Sequence, residues 1–223
     1  MLKGRGLLTP LQREFLQAFS RLQDADQFYL TGGTALTEFY LGHRLSFDVD
    51  LFTAQVELVL PVSLQVEALR RPDWQVSVTR RFSTFVELLV TGGEESLRVD
   101  LALDSPFRFE PPCPAEVGIR VNGERDLCVD KLLAYYGRSE PRDAVDLHFI
   151  LQRYGTDDLL AWAAQKDSGF DLYWFAVALN RVAEFPDELE RWPVRMLMAM
   201  DPRQLKGRFV ELASQLMSRV VGR

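Results

Sequence analysis

The segment from residue 30 to residue 52 constrains the fold of this chain more than any other. It reads LTGGTALTEFYLGHRLSFDVDLF, with two glycines before a short helical pattern and two aspartates after it. Leu30 ends one extended stretch, and the alternation of Phe47, Val49 and Leu51 predicts a second strand. Glycines between a strand and a helix let backbone amides approach an anion closely. The segment therefore predicts a strand, helix, strand unit with a phosphate-binding corner.

Asp48 and Asp50 are predicted to point to the same side of the second strand. Two carboxylates at this spacing can share divalent ions held about 3.5–4 Å apart, an arrangement that serves phosphoryl and nucleotidyl transfer. The alternative is that the two acids only mark an exposed strand edge. Apolar neighbours such as Phe47 and Phe52 favour the metal role, because acids between them would be costly without a partner.

A third carboxylate would complete such a metal site, and Asp100 in ESLRVDLAL is the best candidate because apolar residues flank it on a predicted strand. The alternative is a surface acid that pairs with Arg98 or with a neighbouring strand. Asp104 is a weaker candidate, because a turn at the Ser-Pro pair that follows already explains it.

Secondary-structure patterns around this segment indicate an α+β fold. Thr9 and Pro10 are typical of a helix start, and apolar spacing extends that helix to about Asp24. Further strands are predicted over residues 28–30, 74–79, 85–90 and 97–103, the last two as a hairpin. A second short hairpin is predicted around residues 117–121, turned by Asn122 and Gly123.

The second half of the chain shows helical periodicity throughout. Helices are predicted over residues 127–136, 144–154, 157–165, 173–185 and 202–220. We therefore expect an α/β domain over residues 1–125, followed by a helical bundle domain over residues 126–223.

Composition limits the classes of function. The chain has 223 residues, of which 47% are hydrophobic and 26% charged, with a formal net charge of −6. This charge argues against non-specific coating of nucleic acid, although a local basic surface is compatible with it. No targeting segment and no apolar run near the about 20 residues of a membrane span is visible, so we expect a cytoplasmic protein without membrane association. Cys113 and Cys128 are expected to be reduced thiols.

The segment DKLLAYYGRSEPRDAVDL carries the charged residues of interest in the second half. Lys131 and Arg138 lie two helical turns apart and share one face if the helix continues between them. Asp143 and Asp146 begin the next predicted helix, where Asp143 has the alternative role of a helix cap. Exposed basic residues on helices are usually solvated, so the pattern alone leaves a phosphate-binding role of Lys131 open.

These two segments resemble the motifs of a known family. GGTALTEFYLGHRLSFDVDLF and KLLAYYGRSEPRDAVDL resemble motifs of the AbiEii/AbiGii nucleotidyltransferase toxins, which include the MenT toxins and belong to the DNA polymerase β-like nucleotidyltransferase superfamily. The resemblance implies a polymerase β-like domain with a mixed sheet, followed by the helical domain. It further implies a Mg²⁺-dependent enzyme, with Mn²⁺ as an alternative, that uses NTP to extend the 3′ end of tRNA and blocks translation. A cognate antitoxin protein is the implied partner.

The resemblance also assigns residues. It implies catalytic roles for Asp48, Asp50, Lys131 and Asp146, with Asp48 and Asp50 as metal ligands and Asp100 as the candidate third ligand. The expected nucleotide-binding residues are Gly32, Gly33, Thr34, Arg44, Ser46, Lys131 and Arg138. Ser46 is in addition a candidate regulatory position, where an antitoxin can phosphorylate a relative.

Two alternatives to this function stay open at this point: a protein or small molecule as the acceptor of the nucleotide, and a catalytically silent nucleotide-binding module. Among single residues, His43 either touches substrate or orders its loop, and His148 is interpreted as a core histidine. Aromatic residues of the second half could stack on bases, although helical spacing favours the core for them. They are Trp162, Tyr173, Trp174, Phe175 and Trp192.

Overall fold

The computed structural model describes residues 1–69 and 71–222. The chain divides into two compact units, which we call unit 1 (Met1–Leu127) and unit 2 (Cys128–Arg223). Within the described residues, no helix is both long and apolar enough to cross a membrane. Cys113 is exposed, Cys128 is buried, and both are reduced, as expected.

Unit 1 is built on a seven-stranded sheet with the order β3-β4-β5-β2-β1-β7-β6. The strands are β1 Tyr29–Thr31, β2 Val49–Thr53, β3 Trp74–Phe82, β4 Phe85–Gly92, β5 Glu95–Leu103, β6 Cys113–Pro114 and β7 Arg120–Val121. The sheet is mixed, because β2 runs parallel to β5 and antiparallel to β1. The expectation of an α+β fold with a mixed sheet is therefore confirmed.

The first helix, α1 (Pro10–Phe19), begins as the sequence predicts. Thr9 caps it in a reciprocal pair with Gln12, and proline occupies the first helical position. The helix ends five residues before the predicted end at Asp24, however. Asp24 adopts a left-handed conformation with φ 61°, which cannot continue a right-handed helix, and a 3₁₀ turn follows over Ala25–Gln27.

The strand, helix, strand unit forms with shifted bounds. Helix α2 (Gly32–Ala35) begins directly after β1 and continues as a π-helix over Leu36–Leu41. Gly42 ends it with φ 68°. The second strand was predicted to start at residue 47 but starts at Val49, so Asp48 immediately precedes the strand.

The sequence patterns predict no helix over Val56–Glu67, where the structure has α3 with Pro61 inside it. One predicted turn of unit 1 is also wrong. The second hairpin exists, but its turn lies between β6 and β7, where Gly118 has φ 88°. Asn122 and Gly123 do not turn this hairpin. The buried Asn122 side chain instead donates to Thr31 Oγ1 at 3.2 Å.

Helices α4 to α8 continue the chain through unit 2. They are α4 Glu124–Arg138, which begins within unit 1, α5 Pro141–Arg153, α6 Thr156–Lys166, α7 Leu172–Asn180 and α8 Pro202–Val221. Tyr135 and Phe209 are fully buried and meet edge to face with ring centroids 5.4 Å apart. The expectation that the aromatic residues lie in the core is wrong for Tyr173 and Trp174, which are 44% and 59% exposed.

Candidate active site

The sheet of unit 1 places three acids next to one another on adjacent strands. Asp50 of β2 lies opposite Asp100 of β5, and Asp100 lies opposite Glu87 of β4. We call these three residues the acid row. Their strand neighbours, such as Val99 and Leu101, are fully buried on one face of the sheet. The acids alternate with these residues along the strands and therefore lie together on the opposite face. Like charges directly opposite one another destabilise a sheet, which makes the row a costly arrangement that a function would explain.

Arg98 and Asp48 lie next to the acid row. Arg98 Nη2 donates to Asp48 Oδ2 at 2.6 Å, and Arg98 Nε lies 3.8 Å from Asp100 Oδ1. The alternative interpretation of Asp100, as an acid that pairs with Arg98, is thus correct as far as the ion pair is concerned. The pairing does not separate Asp100 from the predicted site, because the same guanidinium also holds Asp48.

The carboxyl of Asp100 is electrostatically unusual. Its pKa is raised to about 6, first by burial and then by the negative charge of Asp50, while Arg98 acts in the opposite direction. Glu87 and Asp48 also raise this pKa. Asp100 is therefore harder to ionise than an exposed aspartate, because burial and its acidic neighbours oppose a further negative charge.

The glycine corner is packed against the acid row. A Cβ atom on Gly32 would lie 1.9 Å from Asp50 Oδ2, and Gly32 has φ 68°. A Cβ atom on Gly33 would lie 2.7 Å from Ser46 Oγ and 2.9 Å from Arg44 Nη2. The corner that was predicted to bind phosphate thus adjoins three further residues predicted for the site.

Two polar side chains hold the loop that leads into β2. The hydroxyl of Thr34 donates a short hydrogen bond to the Asp48 carbonyl oxygen. Gln12 Nε2 donates to the Ser46 carbonyl oxygen at 3.0 Å. The hydroxyl of Thr34, predicted to bind nucleotide, is therefore engaged by the backbone of the segment that carries Asp48. His43 is fully buried, which favours its loop-ordering role.

The donor set suits a hard divalent cation, because carboxylate oxygens are the ligands that Mg²⁺ and Mn²⁺ prefer. Asp100 Oδ1 is buried and makes no hydrogen bond with the described residues, so it has free capacity for a ligand role. Across residues 1–69 and 71–222, however, no three His, Cys, Asp or Glu side chains are grouped tightly enough to hold a metal ion. The residues fit the ion chemically, and the bond between Arg98 and Asp48 would have to open for Asp48 Oδ2 to bind it.

Unit 2 contains a separate buried charge cluster. Lys131 Nζ lies 2.9 Å from Asp146 Oδ2 and 3.4 Å from Asp143 Oδ1. Arg138 contacts Asp143 twice, with Nε at 2.6 Å and Nη2 at 3.0 Å. Both aspartates are fully buried, and Lys131 is 7% exposed. Lys131 and Arg138 thus share a face of an uninterrupted α4, as predicted, but Lys131 is not a solvated surface lysine.

The capping role considered for Asp143 is wrong. Glu140 occupies the cap position of α5, and Asp143 lies inside the helix as the shared partner of Lys131 and Arg138. His148 is half-buried rather than fully buried, with Nε2 2.7 Å from Gln152 Nε2.

Sequence reasoning missed Glu87 and the central position of Arg98. Glu87 shows the signal that identified Asp100, an acid between apolar residues on a strand, in FVELLV. The sequence pattern indicates Arg98 only as an alternative partner of Asp100. Its contact with Asp48 follows from the parallel pairing of β2 and β5, which no local pattern reveals.

Solved structures with similar folds support this description. A candidate nucleotidyltransferase from H. pylori matches with a TM-score of 0.63 and 17% identity, over 96% of this chain and 98% of that chain. The nucleotidyltransferase toxin MenT4 of Mycobacterium tuberculosis H37Rv matches with a TM-score of 0.58 and 19% identity, over 93% and 82% of the two chains. At these identities the likeness shows the fold, which is the expected polymerase β-like one.

The fold, with the paired aspartates beside a glycine corner, is one that solved nucleotidyltransferase structures share, and the match to a nucleotidyltransferase family over residues 14–202 places the chain in that class. The sequence then identifies the group within that class. The chain belongs to the AbiEii nucleotidyl transferase toxin family of type IV toxin-antitoxin systems, whose profile matches residues 14–202. An uncharacterized protein of Aquifex aeolicus (strain VF5) is 28% identical over 184 residues, which are 80% of this chain and 84% of that protein. The resemblance read from the sequence is confirmed, and the family implies an NTP substrate and a cognate antitoxin.

Proposed function

We propose that this nucleotidyltransferase uses Mg²⁺ to transfer nucleotides from an NTP to the 3′ end of tRNA, and that this transfer blocks translation. The observation that carries the metal-dependent chemistry is the contact between the acid row and the glycine corner at Asp50 and Gly32. The choice of tRNA as acceptor is supported by the resemblance of the two sequence segments to the toxin motifs. Both tRNA and NTP are cytoplasmic, so we propose the cytoplasm as the site of action.

In this proposal Asp48, Asp50 and Asp100 would hold the metal. Bound Mg²⁺ would neutralise phosphate charge and make the attacking hydroxyl more acidic. The backbone amides at Gly32 and Gly33 would receive the triphosphate, because neither residue has a side chain of its own that covers its amide. With Asp100 as a metal ligand, the proton of the 3′-hydroxyl would leave to solvent water. The hydroxyl oxygen bonds to the α-phosphorus while the bond to the bridging oxygen breaks, and pyrophosphate leaves.

Two further predicted residues have positions that support their proposed roles. For Lys131, a buried cation paired with two buried carboxylates, the proposed phosphate contact rests on the resemblance of its segment to the toxin motif. Arg138, on the same face of α4, is 47% exposed at its side chain and could bind an anion from solvent. Ser46 lies against Gly33, so a phosphate on its hydroxyl would place negative charge where the triphosphate is proposed to bind.

The test is incubation of the purified protein with MgCl₂, tRNA and each α-labelled NTP in turn. We expect labelled tRNA that grows at its 3′ end, and no label after Asp48→Asn or Asp50→Asn. Asp73→Asn, an exposed acid before β3, is the matched control and should leave transfer unchanged. Transfer that survives in both active-site variants would contradict the metal assignment.

The acceptor is tested separately with cell lysate and labelled NTP. Label that disappears on RNase treatment supports RNA, whereas RNase-resistant label identifies a protein or small-molecule acceptor. Sequencing of RNA 3′ ends after controlled expression then identifies the acceptor. Absence of any transfer, with intact NTP binding, would indicate the catalytically silent module.

A further inference from the structure

Arg98 has a position that its role as a simple surface arginine does not explain. It lies on β5 two residues before Asp100, so both side chains extend from the same face of the strand. The parallel pairing of Val49 with Val99 puts Arg98 opposite Asp48, one step along the strands. The guanidinium thus lies between two carboxylates that are candidate metal ligands.

Arg98 lies close to two carboxylates but makes a hydrogen bond to only one of them. Nη2 makes a hydrogen bond of 2.6 Å to Asp48. Nε and Asp100 Oδ1 are both buried, lie 3.8 Å apart, and make no hydrogen bond with the described residues. A buried donor and acceptor left in this way lose the stabilisation that each had in water. Arg98 is therefore held beside Asp100 by charge attraction without a hydrogen bond. A cation that binds the carboxylate oxygens directly could replace it.

A divalent cation and the guanidinium exclude each other at this place. Mg²⁺ binds carboxylate oxygens at about 2.0–2.1 Å, so an ion on Asp48 Oδ2 would strongly repel an arginine nitrogen hydrogen-bonded to the same atom. The Arg98 side chain is 40% exposed and therefore has a path out to solvent.

We propose that Arg98 is an internal counter-ion that competes with the divalent metal for Asp48 and Asp100. The inference rests on the proposed metal-dependent function and assigns Arg98 a positioning role. With Arg98 in place, the carboxylates are neutralised in part and bind free metal weakly. When Arg98 turns outward, its charge becomes available to the phosphate oxygens of an NTP, so metal binding and nucleotide binding favour each other.

The experiment measures Mn²⁺ binding without nucleotide, by calorimetry on the full-length protein. Arg98→Met and Arg98→Gln, which both remove the charge, should lower the Kd for Mn²⁺ roughly three- to fivefold, the effect of one partly exposed ion pair. Arg98→Lys keeps the charge and should stay within about twofold of the wild type, since a lysine ammonium can compete in the same way. Circular dichroism establishes that each variant is folded.

Arg81→Met is the matched control. Arg81 lies on β3 of the same sheet, pairs with Glu67 and is 42% exposed at its side chain, against 40% for Arg98. Its loss should leave the Kd for Mn²⁺ unchanged. If Arg81→Met lowers the Kd for Mn²⁺ as much as Arg98→Met and Arg98→Gln do, the cause is a general loss of positive charge, and the inference is overturned.

The results for the inference and for the proposed function can be separated. Unchanged or weaker Mn²⁺ binding in both charge-free variants, with labelled nucleotide still transferred by the wild type, overturns the role of Arg98 alone. Absence of Mn²⁺ binding in the wild type and in both variants, with no nucleotide transfer, overturns the metal-dependent function and the inference together. Tighter binding in both charge-free variants, with Arg81→Met unchanged, supports the competition.

Discussion

Replacement of Gly32 by alanine tests the link between the glycine corner and the acid row. The new Cβ atom would lie 1.9 Å from Asp50 Oδ2, so the carboxylate has to move by about 1.5 Å to reach an ordinary contact of 3.4 Å. A misplacement of about 1 Å in a catalytic group can lower a rate roughly 10²-fold. We therefore expect Gly32→Ala to reduce nucleotide transfer at least about 100-fold.

The same substitution also has a cost in the backbone. Gly32 has φ 68°, and a residue with a side chain pays roughly 1–2 kcal/mol in that left-handed conformation. For a chain of this size, each kcal/mol lowers Tm by about 2–4 °C. Gly93 offers a matched control, because it has φ 60° and no atom within 4 Å of an added Cβ.

Gly93→Ala should thus lower Tm by about 2–8 °C without changing transfer. Gly32→Ala should lower Tm by at least as much and lose transfer as well. The assays are differential scanning calorimetry and labelled-nucleotide transfer on both variants. If Gly32→Ala transfers nucleotide within about twofold of Gly93→Ala, then the close approach of Asp50 has no catalytic importance and the reasoning is refuted.

Two further predictions concern charge. The pKa of Asp100 is raised to about 6 from 3.8, so protonation favours the folded state, and this contribution to stability is lost as the pH rises from about 4 to about 6. We compare the Tm of Asp100→Asn with that of the wild type by calorimetry in the presence of a chelator. The variant should gain in Tm relative to the wild type as the pH rises from about 4 to about 6. A constant difference would contradict the raised pKa of Asp100. In unit 2, Asp143→Ala leaves the buried Lys131 without one of its two carboxylates and removes one partner of Arg138, so urea unfolding should show a loss of about 3 kcal/mol. Asp157→Ala, at an exposed ion pair, should cost no more than about 1 kcal/mol, and equal losses in the two variants would refute the special role of Asp143.

The local pattern was sufficient where one segment determines its own conformation. Thr9 and Pro10 predict the start of α1 because the cap and the proline act within one helical turn. Gly42 ends the helix of the glycine corner with φ 68°, as expected for a glycine at that place. The alternation around Asp50 predicts β2 for the same reason, although its first residue was misplaced by two.

The local pattern was insufficient where distant segments meet. Asp50, Asp100 and Glu87 come from three strands, and their alignment depends on registers that only the assembled sheet defines. The Asn-Gly pair at residues 122 and 123 is a common hairpin turn signal. Here the side chain of Asn122 binds Thr31 on another strand, and this tertiary contact overrides the turn preference.

The charge cluster of unit 2 is another contact between segments that local sequence patterns do not predict. The first turn of a helix is a usual place for a capping aspartate, which made a cap the natural interpretation of Asp143. The structure buries Asp143 because α4 supplies Lys131 and Arg138 to neutralise it. A pairing between two helices cannot be read from the spacing within either of them.

The strand order has a consequence for synthesis of the protein on the ribosome. Strand β2 pairs in parallel with β5, and β1 pairs in parallel with β7 at Arg120–Val121. Parallel partners so far apart in the sequence make folding depend on late, non-local contacts. Asp50 meets Asp100 only after residue 103 has been made, and β1 gains its second neighbour only after residue 121. A growing chain therefore cannot assemble its acid row from β1 and β2 alone, and has to wait for β5.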